Sequence, residues 1–132
     1  KKDLIETENW DEIERLTRQA VQTMLGFKLA HIGINADSPG EATKAANMFA
    51  AMFGFAVKEG ENNYFMGENE IEILKTPFPG RLGHIAISTN TLPRAVAYFK
   101  SRGFAFKEGY VNDKLAYFED EIAGFAVHLT QR

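Results

Sequence analysis

The sequence runs to 132 residues, the length of one domain, and its 15 Lys and Arg against 18 Asp and Glu leave a net charge of −3, which excludes the basic footprint of a nucleic-acid binder. Hydrophobic residues at 45% and charged residues at 25% exclude a disordered or fibrous chain. No apolar run approaches the roughly 20 residues needed to span a membrane, no signal-peptide core opens the chain, and the absence of cysteine excludes disulfides and thiol chemistry while suiting a reducing cytoplasm, the expected location.

Residues 1–26 are expected to form an N-terminal amphipathic helix. Asn9 followed by Glu12 has capping-box spacing, Trp10, Ile13, Leu16, Ala20, Val21 and Met24 share one face at helical period, and Gly26 ends the pattern. That apolar stripe must bury against the following domain or a partner chain.

From Phe27 the pattern becomes strand-like, and then it repeats. Leu29-Ala30-His31-Ile32-Gly33-Ile34 returns as Leu82-Gly83-His84-Ile85-Ala86-Ile87. Ser38-Pro39-Gly40-Glu41 opens a capped helix carrying Ala42, Ala45, Ala46, Phe49, Met52 and Phe53 and stopping at Gly54. Its counterpart starts near Thr91, turns Leu92, Ala95, Val96 and Phe99 inward, and stops at Gly103. Gly54-Phe55-Ala56-Val57-Lys58-Glu59-Gly60 then matches Gly103-Phe104-Ala105-Phe106-Lys107-Glu108-Gly109, with Lys58-Glu59 and Lys107-Glu108 read as exposed turns. Strand-like stretches close each half, at 64–66 and 70–75 in the first and 115–118 and 125–130 in the second. The expected fold is therefore α+β, with two β-α-β-β-β modules, 27–76 and 81–132, within a domain spanning 27–132. Pro77, Pro79 and Gly80 mark the linker. Each module leaves an apolar sheet face that cannot stand alone, so the two should pack about a pseudo-twofold axis.

Strand alternation then singles out four side chains. Leu29, His31, Gly33 and Asn35 are expected on one face of the first strand, with Ala30, Ile32 and Ile34 on the other. Leu82, His84, Ala86 and Ser88 repeat that division. In the closing strands Ile71 and Ile73 mirror Val127 and Leu129, while Glu72 mirrors His128 on the opposite face. All three histidines of the chain and Glu72 thus occupy repeat-related positions that a pseudo-twofold axis would bring to one point. A carboxylate enclosed between sheets is costly unless it is paired or bound to a cation. Three imidazoles and a carboxylate suit one divalent metal ion, namely Zn, Ni, Co or Fe(II), whereas Mg or Ca would want more oxygen. The other reading, in which each histidine is simply a satisfied core residue, fits one of them better than it fits all three together.

Other residues carry weaker expectations. Glu70 reads as a solvated rim carboxylate and Arg81 as a strand-end charge, with contact to an anionic substrate as its alternative. Some of Tyr64, Phe65, Met66, Tyr117 and Phe118 must line the cup, where aromatic walls suit a small organic substrate.

Residues 27–132 resemble the vicinal oxygen chelate superfamily, which includes glyoxalase I, extradiol dioxygenases, methylmalonyl-CoA epimerase and the fosfomycin- and bleomycin-resistance proteins. The resemblance rests on the paired modules, on His31 in Leu-x-His-Ile-x-Ile, on Glu72 in Ile-Glu-Ile-Leu and on His84 in Gly-His-Ile-Ala-Ile. It implies an incomplete, cupped β-barrel around a divalent metal, commonly a homodimer. It also implies a lyase or isomerase that chelates vicinal oxygens of a small-molecule substrate and stabilises an enediolate-like charge. Glyoxalase-like members carry glutamate where this chain has His128. That places catalytic roles on Glu72 and His128 and argues against the glutathione-dependent isomerase reaction. The alternatives are a non-enzymatic small-molecule-binding or regulatory domain and an Fe(II) dioxygenase. Lys1-Lys2-Asp3-Leu4-Ile5 with Asn9-Trp10-Asp11-Glu12-Ile13 also resembles the closing segment of keto-hydroxyglutarate/keto-deoxy-phosphogluconate aldolases. That implies a fused aldolase domain as a partner, and a 2-oxo acid as substrate.

Overall fold

The computed structural model describes residues 2–132 apart from the side chain of Leu4. In chain order the elements are α1 (Lys2–Glu6), α2 (Trp10–Leu25), β1 (Lys28–Asn35), α3 (Pro39–Phe53), β2 (Val57–Glu59), β3 (Asn63–Met66), β4 (Ile71–Leu74), β5 (Gly83–Thr89), α4 (Leu92–Ser101), β6 (Phe106–Val111), β7 (Leu115–Phe118) and β8 (Phe125–Gln131). The strands form one eight-stranded mixed sheet in the order β2-β3-β4-β1-β5-β8-β7-β6. Its halves mirror one another across an antiparallel seam between β1 and β5, and within each half the first strand runs parallel to the last. This is the expected pair of β-α-β-β-β modules, joined edge to edge.

Local chemistry sets the helix ends. Asn9 caps α2 by accepting from the Glu12 N–H at 3.3 Å, and Ser38 caps α3 by accepting from the Glu41 N–H at 3.2 Å. Both helices run into a glycine in the left-handed region, Gly26 and Gly54. Helix α3 packs over β3 and β4, where Ala42 and Ala46 meet Tyr64, Met66 and Ile73. Helix α4 packs over β7 and β8, where Leu92 and Ala95 meet Ala116 and Leu129. The C-terminal turn of α2 is anchored in that second cluster by buried Leu25, whose carbonyl accepts from the Thr89 hydroxyl at 2.7 Å and the Asn90 N–H at 2.8 Å.

Four expectations need correction. β1 carries a bulge between Leu29 and His31, so Leu29 pairs with Ile87 while His31 pairs with Ala86. One extra residue reverses the alternation, and Leu29 therefore belongs to the helix-covered side and not to the histidine face. Met52 and Phe53 are 66% and 58% exposed, because α3 needs only its small alanine face to approach the sheet closely. Lys58, Glu59 and Glu108 are exposed as expected while Lys107 is half-buried, and all four lie in the edge strands β2 and β6 rather than in turns. The stripe of α2 is covered unevenly: Leu25 is buried with Val21 packed beside it, Ile13 and Leu16 are half-buried, and Trp10 is 60% exposed. No helix among the described residues is long and apolar enough to cross a membrane.

Candidate metal centre

The register of the sheet delivers the four donors to one face. Gly33 pairs with both Glu72 and His84, His31 pairs with Ala86, and Ala86 pairs with His128, so all these residues point to the side away from the helices. Ile32, Ile34, Ile71, Ile73, Ile85, Ile87, Val127 and Leu129 point to the helix side, as alternation requires.

The donors converge closely. His31 Nε2 lies 3.0 Å from His84 Nε2, and Glu72 Oε2 lies 3.4 Å from the first and 3.1 Å from the second. One ligand nitrogen from each of His31, His84 and His128 falls within 4.8 Å of the others. Donor atoms about 2.0–2.1 Å from a tetrahedral zinc-like ion stand roughly 3.3 Å from one another, close to the 3.0–3.4 Å spacing of His31, His84 and Glu72. Glu72, His84 and His128 are buried and His31 is half-buried.

The ring orientations fit the same arrangement. His128 Nδ1 lies 3.2 Å from the Leu129 carbonyl, which makes it the protonated nitrogen and leaves Nε2 with the free lone pair. His84 Nδ1 is buried without a hydrogen-bond partner among the described residues, so Nε2 is the nitrogen through which this ring meets polar groups. Space for the His84 ring exists because residue 33 is glycine: a Cβ there would overlap the ring. A buried set of three ring nitrogens and one carboxylate has more lone pairs than protons to share, and a divalent cation of the Zn, Ni, Co or Fe(II) type answers that deficit. The His31, His84 and His128 cluster can therefore hold a divalent metal.

Electrostatics follow from the same contacts. Burial by itself would raise the Glu72 pKa, but hydrogen bonds from His31, His84 and Asn63 outweigh it and hold the carboxyl well below the usual carboxylate range. Burial pushes His128 down to about 4, so its ring is neutral at physiological pH. Burial, with the Glu72 charge adding to it, raises the Tyr117 phenol above its ordinary value and keeps it protonated.

Above the donors lies a cavity of about 410 Å³ lined in part by Phe65, Leu74, Phe78, Leu115 and Tyr117. Phe65 stands edge-on to His31 with ring centroids 5.8 Å apart, and Tyr117 lies against His128 at 4.5 Å. Of the side chains weighed from sequence, Phe65 and Tyr117 thus face the cup, while Tyr64, Met66 and Phe118 pack toward the helices. Glu70 is exposed in the turn before β4, and exposed Arg81 lies against Gly124 outside the cavity lining.

Sequence reasoning missed several members of this wall, Phe78 and Asn63 among them. Phe78 enters from the inter-module linker, whose backbone is tied to the Asn35 carboxamide by contacts to Phe78 and Gly80 of 2.8–3.2 Å. Asn63 donates to Glu72 Oε1 at 2.6 Å. Asn63 was open to discovery by alternation, since it lies two residues before Phe65 on the strand that pairs with that of Glu72; no local pattern marks Phe78.

No protein-family model matches the chain, and no curated protein matches it. Solved structures do. A hypothetical protein, BH1468, from Bacillus halodurans C-125 superposes with a TM-score of 0.58 at 18% identity, over 80% of this chain and 94% of that one. An extradiol ring-cleaving dioxygenase from B. fuscum gives 0.58 at 19% identity, over 80% of this chain and 32% of that one, so the chain spans about a third of the dioxygenase. Methylmalonyl-CoA epimerase from Mycobacterium tuberculosis gives 0.55 at 14% identity, over 82% of this chain and 89% of that one. These likenesses lend the aldolase resemblance of residues 1–26, of which Lys1 and the Leu4 side chain lie outside the described residues, no support. With its paired modules and the seam between like strands, the chain has the vicinal oxygen chelate fold.

Proposed function

We propose that the chain is a metal-dependent enzyme of the glyoxalase-like, lyase or isomerase type, acting on a small organic substrate with two neighbouring oxygens. The observation that carries this reading is the convergence of His31, Glu72, His84 and His128, the first three of which line an aromatic-walled cavity. Glu72 joins the three histidines as a ligand. When bound, a divalent cation supplies Lewis-acid polarisation of substrate oxygens, worth several kcal/mol in a transition state.

The chain's own groups do the rest. Phe65, Phe78 and Tyr117 form walls that orient a small planar molecule and displace water. The Tyr117 hydroxyl, held protonated, is a donor for a substrate oxygen. Glu72 and His128 are the catalytic candidates: both are unprotonated at neutral pH, and either could take a proton from substrate only through a lone pair not engaged by the cation, which for His128 requires the ring to be displaced from it. A 2-oxo acid is the first substrate class to try, its carboxylate and ketone oxygens being vicinal. The uncovered stripe of α2 around Trp10 supports a homodimeric assembly, which sedimentation velocity reads directly.

The test is elemental mass spectrometry on protein purified without chelators, followed by titration and turnover with 2-oxo acids and other vicinal-oxygen compounds. About one equivalent of Zn, Ni, Co or Fe per chain, with ligand binding lost on metal removal, is the expected result. Ligand binding that survives metal removal would replace this reading with a non-enzymatic binding domain.

A further inference from the structure

The two oxygens of Glu72 have different partners. Oε2 faces the His31 and His84 nitrogens, whereas Oε1 accepts from Asn63 Nδ2 at 2.6 Å. We propose that Asn63 is a positioning residue that turns Glu72 so that one oxygen alone faces the histidine cluster, leaving coordination positions open for a substrate. This inference rests on the metal-site reading above.

Three features of the structure support it. First, the carboxamide is boxed in. Its Oδ1 occupies the place where a Cβ on residue 60 would sit, so Gly60 makes the room, and the Gly60 N–H donates to the Asn63 carbonyl at 2.8 Å, fixing the turn around it. With Oδ1 held against Gly60, the amide presents Nδ2 to Glu72. Second, Glu72 is only 7% exposed, so little water reaches the carboxylate to replace the amide if the amide is lost. Third, the second module solves the same problem differently. Asn63 pairs with Leu74 in the first half, and Leu115 pairs with Thr130 at the equivalent place in the second. Leu115 has no polar group to offer, and His128 is oriented by the Leu129 carbonyl instead. Asn63 therefore serves the acidic donor specifically and is not a general feature of the repeat.

An unrestrained carboxylate can swing both oxygens toward a cation, closing positions that a chelating substrate needs. Partners that orient a ligand in this way typically change metal affinity by about 10- to 100-fold when removed.

Co(II) is the probe, read by chelator competition for affinity and by visible absorption for coordination, with thermal melting of the metal-free protein alongside. Asn63→Ala is expected to weaken Co(II) binding by about 10- to 100-fold and to alter the Co(II) spectrum. Asn63→Asp, which keeps the shape but sets a second carboxylate against Glu72, is expected to weaken it further. Gly60→Ala, which pushes the carboxamide aside without removing it, is expected to reproduce the spectral change. Equal affinity and an unchanged spectrum in Asn63→Ala, with only the melting temperature lowered, would overturn the inference and reduce Asn63 to a partner that satisfies a buried carboxylate. Wild-type protein that takes up no Co(II) would overturn the metal-site reading itself, a result distinguishable from the first because it needs no variant.

Discussion

Replacing Gly33 by alanine should severely weaken metal binding without substituting any donor residue. Gly33 sits directly across the seam from His84, and the imidazole ring lies over the glycine. A Cβ on residue 33 would stand only 2.5 Å from His84 Nε2, and nearer still to Cε1 and Nδ1. Ordinary carbon contacts begin near 3.5 Å, so the ring must move by about 1 Å or more, or leave its rotamer altogether. The backbone of Gly33 is outside the left-handed region, so alanine is acceptable there in every respect except the ring above it. Overpacking of this kind costs about 1–3 kcal/mol of stability. Loss of a direct ligand should exceed the effect of losing an orienting partner, so metal affinity should fall by more than about 100-fold. Chelator competition with Co(II) or Zn(II) measures the affinity, and far-UV circular dichroism checks the fold. Adding His84→Ala to the variant should cost little further affinity, because both changes remove the same ligand. A folded Gly33→Ala protein that binds metal as tightly as wild type would refute the assignment of His84 Nε2 to the centre.

Acid should destabilise the metal-free chain in two steps. His128 has a folded pKa of about 4 against an unfolded value near 6.5, so the unfolded state gains the proton first, and about 3 kcal/mol of stability is lost as pH falls from about 6.5 to 4; the stabilisation from ionised Glu72, whose folded pKa lies below its unfolded value, is present above about 4.5 and is lost at lower pH. Urea denaturation at successive pH values follows both. Thr89→Val, which removes the buried hydroxyl bonded to the Leu25 carbonyl, should cost about 1–2 kcal/mol in urea denaturation and leave metal affinity unchanged. Ser38→Ala should cost about 1 kcal/mol by uncapping α3, again with metal affinity intact, and a loss of metal in either variant would show that the centre depends on global stability.

Much of this architecture was legible in the sequence because duplication doubles every signal. Alternation in two strand patterns, each read twice, placed His31, Glu72, His84 and His128 on one face, and the register bears out that face for all four. What escaped was whatever alternation does not encode. The bulge before His31 depends on how the strand leaves α2 against β5, so Leu29 was assigned to the wrong face. Met52 and Phe53 follow helical period faithfully, yet the tight approach of Ala42 and Ala46 to the sheet leaves them at its margin. Phe78 reaches the cup only because Asn35, more than forty positions away in sequence, ties down a linker that carries no period of its own.

The seam along β1 and β5 joins like strand to like strand, so a charge argument can be made for each half alone. Two copies of the first module meeting across such a seam would surround a divalent cation with two imidazoles and two carboxylates, a neutral assembly. Two copies of the second would supply four imidazoles and leave the assembly doubly positive. Using one of each, the proposed ligand set of His31, Glu72, His84 and His128 would leave a single uncompensated positive charge once a divalent cation was bound, beside a cavity whose lining includes no lysine or arginine among the described residues. A centre so balanced would attract a monoanion through the cation alone, and would release it without having to break a salt bridge in the wall.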